Sequence, residues 1–316
     1  MRQNSKHLIL GASGQIGTVL TTELRKKYGA SAVIASDIKI PKKESSQMGL
    51  FVQIDATSYD ALQNVVQKYN VSTVYLMAAM LSANAENYPS KAWDLNMSSL
   101  FNVLNLAKDG FIKYVFWPSS IAVFGPSSPK INVPQLTIME PTTVYGISKL
   151  SGERWCAYYN KKYGIDVRSL RFPGLIGWQS SPGGGTTDYA VDIFHKAVAH
   201  QPFECFLAEN TALPMMYMDD AIRAVIELME TDSKKIKVRS SYNLGALSFT
   251  PKTLYESLLP LFPNFEIKYT PDFRQEIAES WPESIDDSSA RNDWDWKPQF
   301  DLKRLVEDMC YNLINK

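Results

Sequence analysis

The chain has 316 residues, with 33 Lys and Arg against 33 Asp and Glu, and 45% of it is hydrophobic. At about 150 residues per domain this length suits two domains or one large one, and a formal net charge of zero removes the electrostatic case for nucleic acid or an anionic membrane as partner. No stretch approaches the roughly 18 apolar residues of a membrane span, and Leu8-Ile9-Leu10 is too short for the core of a signal peptide, so a soluble cytoplasmic protein is expected.

Three cysteines (Cys156, Cys205, Cys310) form no C-x-x-C pair, and the three histidines (His7, His195, His200) are not near them in sequence. A disulfide framework, a Cys/His zinc site and a Ser-His-Asp or Cys-His catalytic set are therefore not expected. Asp219-Asp220 and Asp286-Asp287 do not change this, because adjacent residues do not share a helix face, and first-turn acids answer to the helix dipole. No metal is expected.

In chain order, residues 6–10 read as a short buried strand that runs into Gly11-Ala12-Ser13-Gly14-Gln15-Ile16-Gly17. Ile16, Val19, Leu20 and Leu24 then fall at helical spacing, and Gly29 suits a C-terminal cap. Strand, glycine loop and helix together are the setting in which G-x-x-G-x-x-G binds phosphate. The glycines allow close backbone approach, and the helix N-terminus offers N–H groups to a pyrophosphate. A second strand, 32–36, ends at Asp37, 20 residues beyond Gly17, where a carboxylate meets the adenosine ribose hydroxyls and repels a 2′-phosphate. NAD is favoured over NADP, with Lys39, Lys42 and Lys43 read as loop charges.

A third strand, 50–54, leads to Asp55-Ala56 and a helix carrying Leu62, Val65 and Val66. The fourth, 73–77, leads to Ala78-Ala79, whose small side chains serve either cofactor approach or strand–helix packing. A long helix is expected over 87–109, with Asn96 as a polar relay within it. The fifth strand, 114–117, precedes Pro118 to Gly125. A helix over about 142–163 and a strand over 166–170 follow. Beyond Arg171 the pattern is mixed, with a helix reaching His200 from the run Gly183 to Asp188, another over 218–230, and a final helix after Trp296-Lys297-Pro298.

Alternation of strand and helix over the first 170 residues or so predicts an α/β fold. Its core is a doubly wound parallel (Rossmann) sheet over 1–172, with a smaller mixed α/β substrate lobe over 173–316 interleaved with it. Ligands of such sheets bind beyond the carboxyl ends of the strands. Gly11, Asp37, Asp55, Ala78 and Ser120 all follow strand ends, so they converge on one edge. Tyr145 and Lys149 lie one helical turn apart on one face. An ammonium beside a phenol favours the phenolate, so Lys149 is expected to lower the Tyr145 pKa from its reference of about 10 and make a proton-transfer pair.

Gly11, Gly14 and Gly17, Asp37, the turn Ser120 to Gly125, Tyr145 with Lys149, and Trp296 with Pro298 together resemble the extended short-chain dehydrogenase/reductase family over essentially the whole chain. Phe124 departs from the Tyr common there. Within the family, residues 182–191, 213–220 and 280–288 resemble the short-chain, metal-independent type of L-threonine 3-dehydrogenase. The resemblance implies NAD-dependent oxidation of L-threonine to 2-amino-3-oxobutanoate. Tyr145 would be the base, Lys149 would stabilise it and bond the nicotinamide ribose, and Ser120 would hold the substrate oxygen, with Ser119 the neighbouring alternative. Expected cofactor contacts are Gly11, Gly14, Gln15, Ile16, Gly17, Asp37, Asp55, Ala56, Ala78, Ala79, Tyr145, Lys149 and Leu175.

On the substrate side, Gly183 to Gly185 are expected to present unpaired N–H groups to a carboxylate, or else to form a plain flexible turn. Gly184 is the member placed in the site. Thr186 or Thr187 adds a hydroxyl, unless one is merely the helix N-cap. Ser82 and Trp281 are further candidates, Trp281 as lid or as core. The resemblance also implies a homodimer through the helices at about 87–109 and 141–163. The rival readings are a nucleotide-sugar epimerase or dehydratase of the same fold, which needs a larger pocket, and a non-catalytic NAD sensor, a class that often lacks the Tyr or Lys.

Overall fold

The computed structural model describes residues 6–40, 49–179, 181–183 and 185–316. Strand β1 (Lys6–Leu10) carries Leu8, Ile9 and Leu10 in succession, all buried, because a central strand of a parallel sheet is covered on both faces. It feeds α1 (Gln15–Tyr28), whose buried stripe is Val19, Leu20, Thr21 and Leu24 and whose last turn carries Arg25, Lys26 and Lys27 against the helix dipole. Then come β2 (Val33–Asp37), β3 (Phe51–Gln53), α2 (Tyr59–Tyr69) and β4 (Val71–Leu76).

A short unexpected helix, α3 (Ser82–Asn87), precedes the helix expected over 87–109, which is α4 (Pro89–Lys108). The break falls at Tyr88, because a residue before proline is driven out of the helical region, and Pro89 then suits the first turn of the next helix. Strand β5 runs further than expected, Tyr114–Ser120, and includes Pro118. It can, because its pairing with β4 stops at Phe116, so the missing N–H of Pro118 breaks no bond on that side. Helix α5 (Val144–Tyr163) starts at Thr143, whose hydroxyl accepts from Gly146 N at 3.0 Å, and stops at Gly164 with φ 71°. β6 (Asp166–Phe172) is also longer than expected.

The second half contributes β7 (Gly174–Ile176), α6 (Tyr189–Val198), β8 (Phe203–Cys205), β9 (Leu213–Tyr217), α7 (Met218–Glu230), β10 (Tyr242–Asn243) and β11 (Leu247–Phe249). The chain ends with α8 (Pro251–Leu258), β12 (Ile267–Tyr269), α9 (Arg274–Ser280), α10 (Ser288–Trp294) and α11 (Leu302–Ile314). Seven strands form one parallel sheet in the order β10-β6-β5-β4-β1-β2-β3. The chain starts in the middle, moves out to β3 and returns to β4, so the order reverses between β1 and β4, where a doubly wound sheet opens a crevice. One face is covered by α1, α7 and α10, the other by α2, α4 and α5. A third core, built from α6, α8, α11 and the small sheets β11-β9-β7 and β12-β8, stands over the crevice end. Among the described residues no helix is long and apolar enough to cross a membrane.

Candidate active site

The strand ends do converge. A hollow of about 630 Å³ at the carboxyl edge of the sheet is lined by Gly11, Gly14, Asp37, Asp55, Ala56, Ala78 and Ala79. Met77 and Ala79 also border a second, smaller cavity of about 140 Å³. Around the smaller one stand Gln15, Ile16 and Leu175 on the hollow's side, Ser120, Tyr145 and Lys149 at the floor, and Ser82, Thr186, Thr187 and Trp281 beyond. Trp281 is a nearly buried wall of this cavity. Gly17 lines neither space. A Cβ on it would sit 2.1 Å from the Gly11 carbonyl oxygen, so this glycine lets α1 press on the loop. Gly184 lies outside the described residues, as do Lys42 and Lys43.

The hollow fits a dinucleotide on the chain's own geometry. Gly11 takes φ 85°, and its Cβ would strike Ala78 N at 2.5 Å, so the loop is folded tightly over the end of β4. Gly14 is different: a Cβ there would meet only the Gly11 oxygen, at 3.4 Å, so its bare face is kept by no packing need and looks into the hollow. No side chain caps α1 and no acid occupies its first turn, which leaves that end suited to a pyrophosphate. Asp37 accepts from Ser13 N and Lys39 N, both at 3.0 Å, and is thereby fixed at the rim.

At the floor, Tyr145 and Ser120 share a hydrogen bond. Lys149 donates to the Pro118 carbonyl at 2.6 Å and lies 5.4 Å from the Tyr145 ring centre. The expected lowering of the Tyr145 pKa is not what the site shows. Burial pushes the phenol up to about 12, with the Ser120 bond opposing, and burial pulls Lys149 down to about 7. Desolvation disfavours both charged forms, and it is the leading cause at each group. The pair therefore rests as neutral phenol beside a lysine near its midpoint.

Two of the three glycine N–H groups expected to face a carboxylate are engaged otherwise, and the third, that of Gly184, lies outside the described residues. Gly183 N and Gly185 N both donate to Asp188 Oδ2, at 2.6 and 2.8 Å, so these N–H groups are engaged within the loop, and α6 begins only at Tyr189. Thr186 presents to the cavity a buried hydroxyl that has no partner among the described residues. Among the described residues Asp188 is the one acid lining it, and sequence reasoning missed it because acids are ordinary at helix starts. Both serines line the cavity, but the Ser119 hydroxyl donates to Glu153 at 2.7 Å, inside a buried cluster with Arg171 that no pattern announced. Asn96 does act as a relay, taking Met80 N at 2.8 Å and donating to Ser148 at 3.2 Å. The dipole account of Asp219-Asp220 is incomplete. Asp220 is buried and accepts from Gln299 N and Phe300 N, pinning the stretch after Pro298. Among the described residues no cluster of His, Cys, Asp or Glu is placed to hold a metal.

Comparison with known proteins agrees with this architecture. Residues 7–245 match the model of the NAD dependent epimerase/dehydratase family. An uncharacterized epimerase/dehydratase of Staphylococcus aureus strain USA300 is 47% identical over 313 residues, covering 98% of this chain and 97% of its own. A GalE-like L-threonine dehydrogenase from Cupriavidus necator, solved in its holo form, is 53% identical with TM-score 0.95, over 98% of this chain and 99% of that one. A monomeric L-threonine 3-dehydrogenase from a metagenome, in its apo form, is 45% identical with TM-score 0.94, over 98% and 99% of the two chains. The tight glycine turn, the rim carboxylate and the Tyr–Lys floor thus belong to an enzyme of the NAD dependent epimerase/dehydratase family, within the extended short-chain dehydrogenase/reductases, and its cofactor is NAD.

Proposed function

We propose that this enzyme oxidises the side-chain alcohol of L-threonine to 2-amino-3-oxobutanoate. One observation carries the choice over a nucleotide sugar: the cavity beside Tyr145 holds only about 140 Å³, and its lining offers hydroxyls, the Lys149 amine and, among the described residues, a single carboxylate. A free amino acid fits that space and chemistry; a sugar nucleotide needs far more room. The solved L-threonine dehydrogenases at 53% and 45% identity support the same substrate.

In this reading Ser120 bonds the reacting oxygen and holds the alcohol against Tyr145. Tyr145 takes the hydroxyl proton, and Lys149 stabilises the phenolate that must form first. Bound NAD supplies the acceptor for the hydride that leaves the same carbon. A cation entering the pocket beside the phenol works against the burial that raises its pKa. Asp188 faces the substrate ammonium, while Ser82 and Thr186 hold its carboxylate. Gly11, Gly14, Gln15, Ile16, Asp37, Asp55, Ala56, Ala78, Ala79 and Leu175 hold the dinucleotide, and Gly17 shapes their loop. Residues 1–172 then carry most of the cofactor site and the reacting pair, 173–316 close the substrate side with Thr186 and Asp188, and two copies associate through α4 and α5.

The test is turnover by purified protein with NAD against a panel of hydroxy amino acids and UDP-sugars. NADH absorbance with L-threonine, reduced ~10²–10⁴-fold by Tyr145→Phe, is the expected result. Turnover with UDP-sugars alone would place the chain among the epimerases and dehydratases. A fully silent panel would favour a cofactor sensor.

A further inference from the structure

Beneath the cavity floor lies a charged cluster that the reaction above does not use. Glu153 and Arg171 are buried, 0% and 2% exposed, and joined by two hydrogen bonds of 2.8 and 2.7 Å. Arg171 also donates to Asn243 Oδ1 at 2.9 Å and to the Gln135 carbonyl at 3.1 Å. Glu153 Oε1 additionally accepts from Ser119 at 2.7 Å. Burying such a pair is seldom repaid in stability, since well-packed apolar residues usually do as well. Its location is what stands out. Glu153 follows Lys149 by one helical turn on α5. Ser119 lies between Pro118, whose carbonyl holds Lys149, and Ser120, whose hydroxyl meets Tyr145. Arg171 is the residue paired with Ser119 across β5 and β6.

We propose that Glu153, locked by Arg171, is a positioning residue for the reaction: through Ser119 it fixes the Pro118–Ser120 segment under Lys149 and Tyr145, and its charge keeps the Lys149 ammonium in place. This rests on the assignment of Tyr145 and Lys149 as the proton-transfer pair. The titratable and charged groups on the elements around Lys149 are few. Tyr145, Glu153 and Cys156 share its helix; Arg171 stands on β6; Glu86 on α3 accepts from Val144 N; Asp188 lies across the cavity; Lys91 and Asp94 on α4 face the hollow. β5 offers Lys149 only the Pro118 carbonyl and the Trp117 ring. Burial lowers the lysine's affinity for its proton, and Cys156 and Glu153 are set against it. Cys156, itself raised by burial, remains a neutral thiol across the working range, so the opposing charge is that of Glu153.

The sign follows. Removing the Glu153 charge leaves the Arg171 cation uncompensated and makes the Lys149 ammonium harder to keep, so lysine deprotonates at lower pH. In the cofactor-free full-length chain, an NMR titration of labelled lysines, with Lys149→Met assigning the signal, should place the wild-type midpoint near 7. Glu153→Gln should lower it by about one pH unit and bring down the alkaline limb of the kcat profile with it. An unmoved midpoint in folded Glu153→Gln overturns the charge role. Ser119→Ala keeps both charges and leaves Arg171 to satisfy Glu153, so it should fold normally, hold the wild-type midpoint and lose about tenfold in kcat with little change in KM. Wild-type kcat in Ser119→Ala overturns the positioning role, and this variant decides that role if Glu153→Gln does not fold. Activity that survives Tyr145→Phe would sink the assignment beneath the proposal instead, and the lysine titration still reports on Glu153 by itself.

Discussion

The Thr186 hydroxyl is buried, with 1% of the residue exposed, and finds no hydrogen-bond partner among the described residues. Such a group costs about 1–3 kcal/mol when left unsatisfied, so packing alone gives no reason to keep it. Valine has nearly the same shape without the hydroxyl. Thr186→Val should therefore melt at the same temperature as the parent or a few degrees above it, while KM for L-threonine rises about tenfold and KM for NAD stays put. An unchanged threonine KM would remove Thr186 from the substrate site. What the sequence could convey at this scale has a clear limit. The Tyr145–Lys149 juxtaposition is legible because helical spacing is local and fixed. The proton affinities of that pair are not, since burial by β5, β6 and the 185–188 loop sets them, and these lie far apart in the chain. Asp188 escaped for a different reason: an acid at a helix start is ordinary, and its bonds to Gly183 N and Gly185 N, though local, exist only once the loop has closed on itself.

Among the elements, the contact of α5 with β5 decides where the floor sits. Gly152 lets the helix lie directly on Trp117, for a Cβ there would come within 2.4 Å of the indole and 3.1 Å of Leu100. The same indole supports Lys149 from 4.6 Å. Gly152→Ala sets two effects against each other. Alanine gains roughly 1 kcal/mol in a helix interior, whereas forcing a methyl into a filled core costs roughly 1–3 kcal/mol. An overlap of this size falls on a rigid ring, so the steric effect should win. The variant should melt lower, and kcat should fall more than KM as α5 is levered from β5. A variant more stable than the parent would show that the helix does not lie this close. The order and kind of elements were readable from periodicity. Their ends were less so, because Pro118 ends a strand in most contexts and is admitted here only by the early end of the β4 pairing. Tyr88 likewise reads as helical until Pro89 is allowed to act on it.

For the whole molecule, the remaining question is what covers the outer side of α4 and α5. Trp93, Ile147, Trp155 and Tyr158 are 41%, 44%, 39% and 43% exposed on these two helices. Trp155 contacts Phe101 at 4.9 Å and Tyr158 at 5.6 Å, so the aromatic groups form a connected surface rather than scattered residues. Exposed apolar surface gathered in this way marks an association site, and a two-fold axis beside two adjacent helices buries the same face twice in a four-helix arrangement. A homodimer should give a solution mass near twice the 35.6 kDa of the chain. Trp155→Glu places a charge at the centre of that face and should shift the mass toward the single chain. Helix α5 also carries Tyr145 and Lys149, so the same variant should lose thermal stability and part of its kcat, both more severely at low protein concentration. The metagenomic relative that is monomeric shows that this fold can stand without a partner. A wild-type mass of one chain across micromolar concentrations would place this enzyme with it, and the aromatic face would then need another occupant.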